Sequence, residues 1–277
     1  MYCKDQSNII ASVTNFIANN NGNIVYIDQH VDRVQNIFFM RLEGEFDSKS
    51  FSVEAFKELF KNTLVDQFKI KWRIYSSNIK PKMALFVSKY DHCLYDILGR
   101  YNSGELFLEI SFILSNHSDL RPISESFKIP FYHIPVTKDT RQDAEQKQLE
   151  LLKAYDIDFI VLARYMQIVS YTLINKYPNK IINIHHSFLP AFVGAKPYHS
   201  AYKRGVKIIG ATSHYVTEEL DAGPIIEQDV VRVSHTHSIE DLIAKGRDLE
   251  KIVLANAIKL HTNRKVMVYN NKTVVFS

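Results

Sequence analysis

Three polar side chains in two distant stretches carry the chemistry open to this chain. In Asn183-Ile184-His185-His186-Ser187-Phe188-Leu189-Pro190 an amide and an imidazole stand two positions apart after an apolar run. On a buried strand both would point from one face at its carboxyl end. In Thr217-Glu218-Glu219-Leu220-Asp221-Ala222-Gly223-Pro224 a carboxylate precedes a Gly-Pro turn. An amide, an imidazole and a carboxylate converging in a pocket suit attack on a carbonyl. Asn183 can donate to an oxygen that gains negative charge, and one such donor is typically worth about 10²–10³ in rate. Asp221 beside His185 would favour the imidazolium and make it the better acid. It could instead orient or deprotonate a nucleophile, a role typically worth about 10²–10⁴. Each residue alone has a plainer reading, since a single buried histidine is usually structural and Asp before Gly-Pro is usually a turn residue.

Other chemistries find less support. No Ser or Cys lies in a nucleophile-elbow motif, so a covalent route is not expected. Ser187 is expected to make a local turn hydrogen bond. His185, His186, His199 and His214 include no pair at the helical i, i+4 zinc spacing, and no metal is expected. Cys3 and Cys93 match no metal or redox spacing; free thiols in a reducing cytoplasm are the simplest account. The 34 basic and 30 acidic residues leave a net charge of +4 without a long basic run, which gives no case for nucleic acid. No apolar segment approaches the roughly 18 residues needed to span a bilayer. Met1-Tyr2-Cys3-Lys4-Asp5 lacks the apolar core of a signal peptide.

The elements that would position these groups fall into two domains, and 277 residues suffice for both. Residues 1–76 read as strand, helix, strand, strand, helix, strand, the ferredoxin-like split βαβ pattern. The helix over Ile9, Ile10, Val13, Phe16 and Ile17 is expected to be capped by Ser7 and ended by Gly22. A second helix is predicted over Phe51 to Phe68 and a closing strand over Ile70 to Tyr75. A polar, proline-containing linker follows at 77–82. From 83 to 277 strands and helices alternate: strands at Met83–Val87, Leu106–Leu114, Phe131–Ile134, Phe159–Leu162, up to Asn183 and His185, and Ile208–Val216, with helices at Cys93–Arg100, Asp139–Tyr155 and Ile239 to about Leu260. That alternation implies an α/β domain with a doubly wound, mostly parallel sheet, closed by two short strands at Lys265–Tyr269 and Thr273–Phe276.

The blocks Asn183-x-His185-x-Ser187-x-Leu189-Pro190, Gly210-x-Thr212-x-His214 and Asp221-x-Gly223-Pro224-Ile225-Ile226-x-Gln228 resemble the signature of the folate-dependent formyltransferases. The resemblance implies that Asn183, His185 and Asp221 form the catalytic trio and that 10-formyltetrahydrofolate is the substrate, with no cofactor besides. It also implies a folate pocket made by Tyr165, Met166, Gln167 and Val169 together with His214, Tyr215, Val216, Thr217, Glu218 and Leu220, much of it through backbone groups. Ribonucleotide formyltransferases hold the acceptor phosphate on a glycine-rich loop after the first strand of this domain. The corresponding Ser88-Lys89-Tyr90-Asp91-His92-Cys93-Leu94 has no glycine, and Asp91 would repel a phosphate, so water is the expected acceptor. This stretch and the block from Lys180 to Tyr198 resemble the deformylases of the family. The implied reaction is hydrolysis to formate and tetrahydrofolate, feeding purine synthesis and balancing the folate pool. Formyl transfer to a small amine and an amino-acid sensor with a vestigial catalytic half are the alternatives.

Residues 1–76 resemble the ACT domain of those enzymes, which implies an amino-acid effector or a homo-oligomer contact. Asn8 stands where amino-acid-binding ACT domains commonly carry glycine; Asn tolerates a left-handed backbone but fills space a ligand would need.

Overall fold

The computed structural model describes residues 1–47, 51–191 and 197–276. The part of the Lys180 to Tyr198 block at 192–196 therefore lies outside the described residues. Met1–Ile79, with Phe276, form one compact unit and Lys80–Val275 another.

The first unit runs β1 (Tyr2–Lys4), α1 (Ile9–Asn19), β2 (Asn23–Asp32), β3 (Ile37–Glu45) and α2 (Val53–Phe60). A π-helical turn at Lys61–Val65 and a last helical turn, α3 (Asp66–Phe68), follow. The strands pair antiparallel in the order β1-β3-β2. Ile9, Val13, Phe16 and Ile17 bury one stripe of α1 against Phe56, Phe60, Leu64 and Phe68. Ile10 and Leu59 fall off these stripes and are exposed.

Two expectations for this unit are corrected. The cap of α1 is Asn8 at φ 69°, with no side-chain cap bond, rather than Ser7. Asn enters the left-handed region at little cost, so the helix starts one residue later than expected. The closing strand at 70–75 is reduced to one bridge, in which the Tyr2 and Lys71 amides each donate to the other's carbonyl at 2.8 Å. The reason is the brevity of β1, which has three residues and offers no longer edge to pair with.

The second unit begins with β4 (Lys82–Val87), α4 (His92–Asn102), β5 (Glu109–Ser115), α5 (Arg121–Ser126) and β6 (Phe131–His133). It continues with α6 (Arg141–Ala154), β7 (Phe159–Ala163), α7 (Tyr171–Lys176), β8 (Ile181–His185) and α8 (Pro197–Arg204). Then come β9 (Ile208–Tyr215), β10 (Ile225–Arg232), α9 (Ile239–Thr262) and the hairpin of β11 (Val266–Tyr269) and β12 (Lys272–Val275). Its sheet has the order β10-β9-β8-β7-β4-β5-β6. From β8 to β6 the neighbours are parallel, whereas β9 and β10 join antiparallel. The chain winds outward from β4 through β5 to β6, then crosses to β7 and β8. The topological switch point therefore lies between β4 and β7, the place where open α/β sheets take ligands at strand carboxyl ends.

Both faces of this sheet are covered, so its central strands read as unbroken apolar runs. Met83, Leu85 and Val87 pack on α4 and α9 through Cys93, Ile97, Val253 and Ala257. Ala84 and Phe86 pack on the opposite face with Phe112, Ala144 and Leu152. Ser238 caps α9, accepting from the Asp241 amide while the Asp241 side chain accepts from the Ser238 amide. Strand β10 escapes the sequence reading because Glu227, Asp229 and Arg232 break its apolar pattern at the sheet edge. The helices α5, α7 and α8 span six to eight residues, too few to show a period.

Candidate active site

The antiparallel pairing of β8 with β9 sets Asn183 opposite His214 and His185 opposite Thr212. His214 is 2% exposed, and its ring orientation follows from its partners. Nδ1 lies 2.9 Å from the Tyr215 carbonyl, an oxygen that can only accept, so this nitrogen carries a proton. Nε2 lies 3.2 Å from Asn183 Nδ2 and 3.6 Å from an Asp221 carboxylate oxygen, so the ring stands between the amide and the carboxylate and orients both.

Asp221 reaches the same place from the loop between β9 and β10. Its backbone is left-handed at φ 55°. Gly223 lets the loop close, since a Cβ there would stand 1.8 Å from the Tyr215 carbonyl oxygen. One carboxylate oxygen lies 3.3 Å from His185 Nδ1 and the other 3.6 Å from His214 Nε2. His185 first, then His214, hold the Asp221 carboxyl well below the usual carboxylate range, outweighing the opposing effect of burial. With Nδ1 turned to Asp221, His185 Nε2 is buried without a hydrogen-bond partner among the described residues.

The other signature residues hold the turn after β8. Thr212 Oγ1 donates to the Ser187 carbonyl at 2.8 Å and accepts from the Leu189 amide at 3.0 Å. Gln228 Nε2 donates to Thr212 Oγ1 and to the Leu189 carbonyl. The local bond expected of Ser187 is not made: its hydroxyl is buried without a partner among the described residues, while its carbonyl accepts from Thr212.

The residues expected around a folate divide by exposure. Met166 is exposed, Gln167 and Val169 are half-buried, and Val216, Thr217, Glu218 and Leu220 line the progressively exposed approach to Asp221. Tyr165 and Tyr215 turn inward. The Tyr165 hydroxyl accepts from Gln148 at 3.2 Å, and burial pushes its pKa up to about 12. The Tyr215 hydroxyl bonds the half-buried His261 of α9. Tyr165 lines a small pocket with Gln167, Val169 and Gln148. A roomy surface cavity of about 660 Å³ lies elsewhere, in the first unit between α2 and residues 72–75; none of the trio lines it.

Sequence reasoning missed a second polar cluster in this unit. Glu250 of α9 is 1% exposed. It accepts from the Tyr198 hydroxyl at 2.6 Å and from His92 Nε2 at 2.9 Å, and Arg164 Nε lies 3.5 Å away. Burial raises the Glu250 pKa, but His92, Arg164 and Tyr198 more than offset it and leave the carboxyl below its usual value. The available signal was Glu250's place on the buried stripe Leu242, Gly246, Leu249, Val253. Of the histidines weighed as metal ligands, His199 is exposed on α8. Among the described residues the ligand atoms that converge belong instead to His92, Cys93 and Glu250, within 4.8 Å of one another. Arg164 beside the same carboxylate supplies the positive charge there.

An amide, an imidazole and an ionised carboxylate gathered at the strand ends of an α/β sheet could together act on a carbonyl carbon. Residues 81–258 match the family model described as formyl transferase. A Synechocystis relative named formyltetrahydrofolate deformylase is 51% identical over 99% of this chain and 96% of its own length. The crystal structure of a formyltetrahydrofolate deformylase from Pseudomonas syringae is 49% identical, covers 100% of this chain and 92% of its own, and superposes with a TM-score of 0.96. A glycinamide ribonucleotide transformylase from Symbiobacterium toebii covers 74% of this chain and 99% of its own at 26% identity and a TM-score of 0.68. The chain belongs to the formyl transferase family and, within it, to the formyltetrahydrofolate deformylases.

Proposed function

We propose that this chain hydrolyses 10-formyltetrahydrofolate to formate and tetrahydrofolate, with no metal and no covalent intermediate. The observation that carries this reading is the meeting of Asn183, His185 and Asp221 at the carboxyl end of β8, together with the names of relatives matched along the full chain. Asp221 orients a water and helps remove its proton. The water oxygen bonds to the formyl carbon while the side-chain amide of Asn183 and protonated His185, through Nε2, meet the oxygen that becomes negative. The bond from carbon to N10 then breaks, and His185 returns a proton to N10 as it leaves.

The folate lies along residues 166–169 and 216–220, and the product formate supplies purine synthesis in the cytoplasm. The first unit is an ACT-like domain that joins copies of the chain or takes an amino-acid effector. Asn8, already left-handed at φ 69°, fills the turn where such an effector would approach, which favours the joining role.

The test is formate release from 10-formyltetrahydrofolate by the purified protein in the presence of a strong chelator. Stoichiometric formate and tetrahydrofolate, unchanged by the chelator, are expected. Absence of formate, or activity that disappears with the chelator and returns with added metal, contradicts the reading.

A further inference from the structure

A family that includes both deformylases and ribonucleotide transformylases on one fold must choose between water and an amine with side chains rather than with topology. We propose that Arg164, buried beside Glu250, is the residue that closes this chain's cleft to amine acceptors and leaves water as the only nucleophile. This inference rests on the hydrolytic reading above.

Its placement is the first argument. Strand β7 pairs with β8 through Leu162 and Asn183, so position 164 stands in step with His185, one residue past the end of β7. On its other side β7 pairs with β4 through Ala163 and Val87, just before the loop that carries Tyr90. Arg164 thus stands at the switch point of the sheet, between the imidazole and the loop after β4. That is where a second substrate would have to come in to reach a formyl carbon held by Asn183 and His185.

The second argument is how firmly the side chain is held. Arg164 has φ 61°, a left-handed backbone that favours glycine over an arginine. Its side chain is nonetheless only 9% exposed. The guanidinium lies 5.0 Å from the centre of the Tyr90 ring on one side, and on the other its Nε forms an ion pair with Glu250 at 3.5 Å, with no hydrogen bond among the described residues. Glu250 is fixed in turn by His92 and by Tyr198, whose ring lies so close to Gly246, one turn earlier on α9, that a Cβ there would stand 2.2 Å from it. Four elements therefore converge on one buried side chain whose backbone, left-handed at φ 61°, stands one strand away from that of His185. Glycine would suit the backbone and leave that volume open; the arginine fills it.

With the volume open, a primary amine can take the place of water. Its nitrogen bonds to the formyl carbon, the bond from carbon to N10 breaks, N10 gains a proton and the amine loses one, so the balance needs no further reactant.

The experiment is competition between water and glycinamide for 10-formyltetrahydrofolate, with formate and N-formylglycinamide both quantified. The full chain, Arg164→Gly, Arg164→Lys and the double variant Arg164→Gly with Glu250→Gln are compared. The double variant removes both buried charges, so neither is left unpaired to impair folding. The native chain and Arg164→Lys are expected to give formate alone. Arg164→Gly and the double variant are expected to raise the share of N-formylglycinamide by roughly 10–100-fold, the range a filled or emptied subsite commands. Native formate release with formate alone from both glycine variants overturns the proposal. So does loss of both products in variants whose thermal unfolding is unchanged, since Arg164 would then serve hydrolysis itself. Absence of formate from the native chain would instead overturn the hydrolytic reading.

Discussion

His185 Nδ1 lies 3.3 Å from an Asp221 carboxylate oxygen, although one residue ends a strand and the other sits in a loop beyond its antiparallel neighbour. The pair is made by backbone placement: Asp221 is left-handed, and the loop closes against the Tyr215 carbonyl through the bare Cα of Gly223.

Replacing Gly223 with Ala tests that placement. The added Cβ would meet backbone rather than a movable side chain, so the loop must shift. Formate release should fall well beyond what the stability change explains, with a stability loss on the order of 1–3 kcal/mol. Urea unfolding and kcat on the same preparation check both.

Asn183 is expected to act through its side-chain amide. Asn183→Ala should lower kcat by about 10²–10³ with little change in KM. His214→Ala should leave the amide free to rotate and lower kcat roughly tenfold, about the worth of one oriented hydrogen bond. Combined, the two losses should be less than multiplicative, because part of what His214 does is to orient Asn183. Steady-state kinetics on the two single variants and the double variant decide this.

Much of this site is legible in the sequence, for identifiable reasons. Strand alternation aligns Asn183 with His185, and the Gly-Pro turn marks Asp221. The place of His214 opposite Asn183 is not legible, because it depends on β9 running antiparallel to β8, and nothing in Ile208 to Tyr215 states a strand's direction. Strand β10 is masked by its charged residues for the same reason that it tolerates them: it ends the sheet. Arg164 and Glu250 look like ordinary surface charges until the chain crossing at the switch point and the register of α9 bring them together.

His261 gives a prediction about pH and stability. It is half-buried, with its ring against Phe159 and a hydrogen bond to the Tyr215 hydroxyl. Burial first, then Arg264 and Lys180, lower its pKa from 6.5 to about 3. The unfolded chain therefore takes up a proton near pH 6.5 that the folded chain refuses. The stability this neutral ring contributes is complete above 6.5 and is lost as pH falls from there toward 3. Between neutral pH and about pH 5 the loss from this residue should be about 2 kcal/mol. His261→Gln, which keeps an acceptor for Tyr215 but does not titrate, should show a flatter dependence over that interval by urea unfolding. Equal slopes for the two proteins would contradict the assignment.

The most direct test of the proposed chemistry is the rate of formate release from 10-formyltetrahydrofolate by Asp221→Asn beside the unaltered chain, with circular dichroism and unfolding midpoints matched. The substitution keeps the size of the side chain and removes the charge paired with His185, so kcat should fall by about 10²–10⁴ while the fold persists. A matched, folded Asp221→Asn protein that still releases formate at close to the native rate would contradict the account.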